Sequence, residues 1–196
     1  MRTLKDKILK YGQAIGTDIV KVDSFLNHQI DVSLISDIGK EFSERFSDAG
    51  GIDKILTIEA SGIVVACAAA WHMNCIPVVF AKKTAPNTMT DGFYSAEVVS
   101  FTKRTVSSVT VSKKYLSKGE NVLIIDDFLA YGEAALGLAS IVKQSGARLC
   151  GIGAVIEKEF QGGSKKLRQM GYRVESLAVI ESIKDGHIKF KDDGQY

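Results

Sequence analysis

The chain has 196 residues, 45% of them apolar and 24% charged, and its 25 basic and 23 acidic side chains leave a formal charge of +2. A domain of this size covers roughly 70% of the surface its unfolded chain exposes, so it needs no disulfide or metal staple. The composition excludes disordered, collagen-like and coiled-coil chains, and the near-neutral balance excludes a dedicated nucleic-acid binder, which carries a marked basic excess.

Residues 1–33 fall outside any regular alternation and are expected to form an N-terminal segment. Leu34, Ile38, Phe42 and Phe46 then recur every four residues, with Lys40, Glu41, Glu44 and Arg45 between them. That spacing predicts one amphipathic helix, stopped by Gly50-Gly51. A β-branched run, Lys54 to Glu59, predicts a strand; Ala60-Ser61-Gly62 and an Ala-rich stretch to Trp71 follow, and Pro77 to Ala81 is a second strand. The long insertion 82–118 carries Ser100, Thr102, Thr105, Ser107, Ser108, Thr110 and Ser112 among valines, which reads as a polar β-ribbon. Between Glu97 and Glu120 it has five basic residues (Lys103, Arg104, Lys113, Lys114 and Lys118) and no acidic one. A solvated basic hairpin and a flexible lid closing on an anion both fit that pattern. Asn121 to Asp126 is apolar on both faces, as a central parallel strand requires. A helix over 133–144, a strand over 148–157, a helix near 165–170 and a strand over 173–180 complete the series. Strands alternating with helices predict a single α/β domain over 1–196, built on a parallel, doubly wound sheet.

Cys67, Cys75 and Cys150 are odd in number and none are spaced as CxxC, while His28, His72 and His187 are scattered, so no protein metal cluster is expected. The first residues lack the apolar core of a signal peptide. The longest weakly polar run, Gly62 to Trp71, is half a membrane span. The expectation is a cytoplasmic protein with no membrane partner.

The chemistry concentrates in Val122-Leu-Ile-Ile-Asp126-Asp127-Phe128-Leu129-Ala130-Tyr131-Gly132-Glu133-Ala134. A central strand ends in two carboxylates, and a short loop then opens a helix. Ligands of open α/β sheets bind at the carboxyl ends of strands, and a helix N-terminus suits a phosphate. Two carboxylates upstream would repel that phosphate unless they accept from hydroxyls, so the ligand that satisfies both is a ribose phosphate. The alternative is an acidic pair that only ends the strand and caps the helix.

At these residues the chain resembles the type I phosphoribosyltransferases, which bind 5-phosphoribosyl 1-diphosphate (PRPP) with a hydrophobic strand, two acidic residues and a phosphate loop. The resemblance implies that Asp126 and Asp127 hold the ribose hydroxyls and that Ala130, Tyr131, Gly132, Glu133 and Ala134 cradle the 5-phosphate. The family loop commonly reads Ala-Thr-Gly-Gly-Thr. Here both threonines and the second glycine are replaced, so binding must lean on backbone N–H groups and Glu133 must point away from the phosphate. Ala60, Ser61 and Gly62 match the loop that holds the diphosphate, with Lys82 and Lys83 within reach as point charges.

Further segments resemble the branch of the family that acts on xanthine: Val20 to Asp31, Leu123 to Ala130, Ser140 to Gln144, Ile156 to Lys158 and Gly171 to Ser176. That resemblance implies that Val20, Asn27 and Lys158 contact the base. It further implies a homodimer, a small hood built from the N-terminal and C-terminal segments, and a pentosyl transfer in purine salvage. Mg²⁺ is expected to arrive with the PRPP diphosphate. The residue types agree. Lys158 can donate to O6 of a 6-oxopurine, although a surface lysine paired with Glu157 or Glu159 is the plainer alternative. Asn27 can donate to a carbonyl at position 2, or can be an ordinary turn asparagine. No Ser or Cys stands beside a His in a nucleophile motif, so orientation and charge stabilisation are left to carry the reaction.

Overall fold

In the computed structural model, which describes residues 1–83, 92–100 and 105–192, the chain opens on helix α1 (Arg2–Tyr11), whose Leu4 and Ile8 are fully buried four residues apart. A short antiparallel hairpin follows, β1 (Gln13–Ile15) with β2 (Ile19–Lys21). One wide turn, Asp23–Asn27, then buries Phe25 and Leu26 and leaves Asn27 exposed. Helix α2 (Val32–Arg45) begins at Asp31, whose Oδ1 accepts from the Leu34 N–H at 3.1 Å and so fills an orphan donor of the first turn. The Lys7 ammonium, 2.5 Å from the other oxygen, holds the Asp31 carboxyl below the usual carboxylate range. The buried face of α2 is Leu34, Ile35, Ile38 and Phe42, the four-residue period expected of it.

Next come β3 (Lys54–Ile58), α3 (Gly62–His72) and β4 (Val78–Ala81), with β3 and β4 parallel. Helices α2 and α3 pack closely at Gly39, where an added Cβ would fall 2.5 Å from the Ala68 backbone. The insertion forms an antiparallel ribbon, β5 (Phe93–Ser100) with β6 (Thr105–Ser112). Of the stretch assigned to it, residues 84–91 and Phe101, Thr102, Lys103 and Arg104 lie outside the described residues. The chain ends with β7 (Asn121–Leu129), α4 (Glu133–Ser145), β8 (Arg148–Lys158), α5 (Gly163–Gln169), β9 (Val174–Lys184) and β10 (His187–Phe190).

The central sheet runs β10-β9-β8-β7-β3-β4, parallel except for β10. Strand β7 shows how it is filled. Leu123 and Ile125 enter the core shared with α1, α2 and α3, while Val122 and Ile124 enter the core under α4 and the ribbon. Period-two alternation with both faces apolar is what places β7 in the middle.

The expected strands and helices all form. The additions are α1, the β1–β2 hairpin and β10. Strand β9 continues past Ile180 to Lys184 and turns back through Asp185-Gly186, both at positive φ, the two-residue turn that joins antiparallel strands. The terminal segments meet beside β9. The Met1 amino group donates to the Leu177 carbonyl at 2.7 Å, and the Lys5 ammonium lies 5.7 Å from the Phe190 ring. Among the described residues no helix is long and apolar enough to cross a membrane.

Candidate active site

Strands β3 and β7 lie side by side, yet the chain leaves them in opposite directions, toward β4 from one and toward β8 and β9 from the other. Crevices at such a reversal, outside the carboxyl ends of the strands, are where open α/β sheets bind ligands. A cavity of about 380 Å³ occupies this position. Its floor is the end of β7 and the loop into α4, with Ala60 and Ser61 after β3 on one side and Lys158, ending β8, on the other. Val98, Val99, Ser107 and Val109 of the ribbon supply a wall.

Asp126 is 9% exposed, and Asp127 is partly buried beside it. Burial first, and then the neighbouring Asp127 carboxylate, push the Asp126 carboxyl well above the usual carboxylate value, with Lys83 offsetting part of the rise. Asp126 Oδ1 accepts from the Asp127 N–H at 3.0 Å, and Asp127 Oδ1 accepts from the Phe128 N–H at 2.9 Å. Asp127 Oδ2 faces two donors from far along the chain, Ser61 Oγ at 2.6 Å and Asn27 Nδ2 at 3.0 Å. Gly62 is confined here. A Cβ would overlap Thr57 Oγ1 and lie 2.7 Å from Asp126 Oδ1, so a side chain at this position would displace the acidic pair.

Ala130, Tyr131, Gly132, Glu133 and Ala134 all line the cavity. Gly132, at φ +85, caps α4 in the left-handed region that glycine enters without strain. The first N–H groups of α4 have no partner within the helix, and its dipole favours negative charge there. The Glu133 carboxylate is drawn to Lys166 Nζ on α5, 2.9 Å away, the diversion that the loop sequence demands. Helix α5 also buttresses the loop. The Gly163 N–H donates to the Ala130 carbonyl at 3.1 Å, and a Cβ on Gly163 would overlap that oxygen. Sequence reasoning passed over Gly163, although the pair Gly162-Gly163 signals a close backbone approach.

Lys158 donates to the Asp18 carbonyl at 2.9 Å, lies 5.8 Å from the Phe128 ring, and has its pKa lowered by burial. Its acidic neighbours are engaged elsewhere. The buried Glu157 accepts from Ser164 Oγ, and Glu159 pairs with Lys191 at 2.5 Å. The plain ion-paired lysine that the sequence also permitted is therefore not what forms. Asp18, which supplies its carbonyl across 140 residues, gave no signal in the sequence. Gln161 also lines the cavity with its Oε1 buried and unpartnered.

Other expected residues stand further off. Val20 is 7% exposed, packs in the core with Leu4 and Ile8, and is not part of the cavity wall. Asn27 is at the surface and reaches the site only through Asp127. Lys82 is held by backbone bonds to Thr110, and its ammonium lies 5.9 Å from the Phe80 ring; the adjacent Lys83 lines the cavity instead. Lys113 lies over Tyr94 and Lys114 over Tyr115, and neither these two nor Lys118 lines the cavity; Lys103 and Arg104 lie outside the described residues. Among the described residues no group of three His, Cys, Asp or Glu side chains is placed to hold a metal.

A phosphoribosyl transferase domain model matches residues 22–193. The chain is 55% identical over 192 residues to a xanthine phosphoribosyltransferase of Ruminiclostridium cellulolyticum, covering 98% of this chain and all of that one. It is 53% identical to the corresponding protein of Clostridioides difficile, over 97% of this chain and all of that one. Among solved structures it is similar to the adenine phosphoribosyltransferase of Rhodothermus marinus, with a TM-score of 0.72 at 18% identity, covering 92% of this chain and all of that one. A second adenine phosphoribosyltransferase, from Thermoanaerobacter pseudethanolicus, gives a TM-score of 0.65 at 25% identity over 76% of this chain and 81% of that one.

Proposed function

The chain belongs to the phosphoribosyltransferase family, and from that premise we propose that it is a xanthine phosphoribosyltransferase, converting xanthine and PRPP to xanthosine 5′-phosphate and diphosphate. One observation carries the proposal. An acidic pair, the N-terminus of α4 and a lysine that forms no ion pair among the described residues border one cavity, in a chain that full-length xanthine phosphoribosyltransferases match at about half of its positions.

In this reading the 5-phosphate sits on the backbone N–H groups of residues 130–134 and the ribose hydroxyls donate to Asp126 and Asp127. The diphosphate faces Ala60, Ser61 and Gly62, with Lys83 rather than Lys82 as the nearby cation. Lys158 exchanges the Asp18 carbonyl for O6 of the base, and Asn27 donates to the carbonyl at position 2. Val20 supports the base pocket from the core. As the bond from ribose C1 to diphosphate breaks, positive charge grows on the sugar and the carboxylates lie on the side that stabilises it. Mg²⁺ would be carried by the diphosphate, held mainly by ligand and water oxygens rather than by a protein cage, and would screen the diphosphate charge; Asp126 and Asp127, in the cavity wall, are the carboxylates that would contribute to its hold. The reading includes a single domain over 1–196, a homodimer, a cytoplasmic location and a ribbon that closes over PRPP.

PRPP-dependent nucleotide formation, measured with xanthine, guanine, hypoxanthine and adenine, tests it. Xanthine should be converted fastest, guanine and hypoxanthine more slowly, and adenine not at all, because a buried donor left without its acceptor rejects a base by about 1–3 kcal/mol. Lys158→Ala should reduce turnover of all three 6-oxopurines together. Adenine as the best substrate would overturn the assignment.

A further inference from the structure

Asn27 and Asp127 are 100 residues apart in the chain, yet the amide nitrogen of one lies 3.0 Å from the carboxylate of the other. The carboxylate is not free to turn. Its Oδ1 accepts from the Phe128 N–H and its Oδ2 also accepts from Ser61 Oγ. A carboxylate only accepts, so the asparagine must present Nδ2 and not its carbonyl to this oxygen. One amide hydrogen is used there. The second remains on the same nitrogen, and the carbonyl is turned to the opposite side.

We propose that Asp127 is a positioning residue for base selection: by fixing the polarity of the Asn27 amide, it makes the group that meets position 2 of the base a donor, so that a 2-carbonyl is accepted and a 2-amine is refused. This rests on the reading above that Asn27 faces position 2, and it gives Asp127 a second duty beside the ribose hydroxyls. Without Asp127 the amide can rotate and offer its carbonyl to a 2-amine. The acidic pair divides the work, since Asp126 has no hydrogen bond to Asn27.

Equilibrium binding of xanthosine 5′-phosphate and guanosine 5′-phosphate, by titration calorimetry, tests this without requiring turnover. The unmodified protein is first checked for xanthosine 5′-phosphate synthesis from xanthine and PRPP; failure there removes the functional reading itself. Asp127→Asn, whose new amide lets Asn27 flip, should lower the preference for the xanthine nucleotide over the guanine one about fivefold or more, the scale of one hydrogen bond. Asp127→Ala should do the same and serves if the first variant does not fold. Asp126→Asn should weaken both nucleotides and leave their ratio unchanged, and adding Asp127→Asn to Asn27→Ala should shift the ratio no further. A wild-type ratio in both Asp127 variants, or an equal shift in Asp126→Asn, would overturn the proposal.

Discussion

Under the proposed reading, Asp126 sets activity against stability within one side chain. Its carboxyl is buried at the floor of the cavity beside a second carboxylate, and both circumstances favour the protonated form. The folded protein therefore holds this proton to higher pH than the unfolded chain does. The stability it lends is full in acid, below the usual carboxylate value, and is lost as pH rises from there through the raised folded value. Asp126→Asn removes the ionisation and with it that loss. Thermal melts from pH 4 to pH 8 should show the variant gaining on the unmodified protein as pH rises, while its turnover falls by about tenfold or more, roughly 1.4 kcal/mol of transition-state stabilisation. A melting difference that does not change with pH would mean that Asp126 titrates as it does in the unfolded chain. Lys82 and Lys83 make a second contrast at this scale. Lys83→Ala should raise the KM for PRPP severalfold and Lys82→Ala should barely change it, because only Lys83 lines the cavity. Sequence put both within reach of the diphosphate, with Lys82 the one chosen. Their separation depends on Lys82 taking up the backbone bridge to Thr110, 28 residues on, and no local pattern records that pairing.

At the scale of elements, what was legible is what period and punctuation determine. Strand β7, its acidic pair and the glycine that opens α4 follow from an apolar run, two carboxylates and Gly132, although β7 continues two residues past the pair to Leu129. What stayed hidden depends on elements meeting. Helix α5 was expected as a helix, but not as the support of the loop 130–134, because that role exists only once α5 and the start of α4 are packed together through Gly163 and Lys166. The consequence is testable. Gly163→Ala puts a methyl group into the Ala130 carbonyl, so the loop or the helix must shift, at a cost of about 1–3 kcal/mol. Its melting temperature should fall and its KM for PRPP should rise, with the order of preference among bases kept. A change in base preference with unaltered PRPP kinetics would mean that α5 supports the base side and not the loop. Strand β10 shows a signal that was present and unused, since Asp185-Gly186 is a strong two-residue hairpin turn.

Across the whole molecule, the cavity is assembled from pieces that are remote in sequence, with the ribbon as the outermost wall. The ribbon is joined to the body through α4. Gln144 Nε2 donates to the Ser95 carbonyl at 2.8 Å, and Gly137 leaves room for Val98, whose Cγ2 would be 2.6 Å from any Cβ there. The helix whose N-terminus borders the cavity is therefore the helix on which the ribbon rests. A ligand that draws the loop and α4 into one arrangement should restrict the ribbon as well, whereas a solvated hairpin would not respond. Amide hydrogen exchange separates the two. With PRPP and Mg²⁺ the β5 and β6 amides near Val98, Val99, Ser107 and Val109 should exchange more slowly, and those of α1, on the far side of the sheet, should not change. Gln144→Ala should speed ribbon exchange in the free protein and leave the ligand-induced slowing in place, since the ligand acts at the other end of α4. If ribbon amides exchange at the same rate with and without PRPP, the segment is a fixed wall of the cavity and not a closing lid.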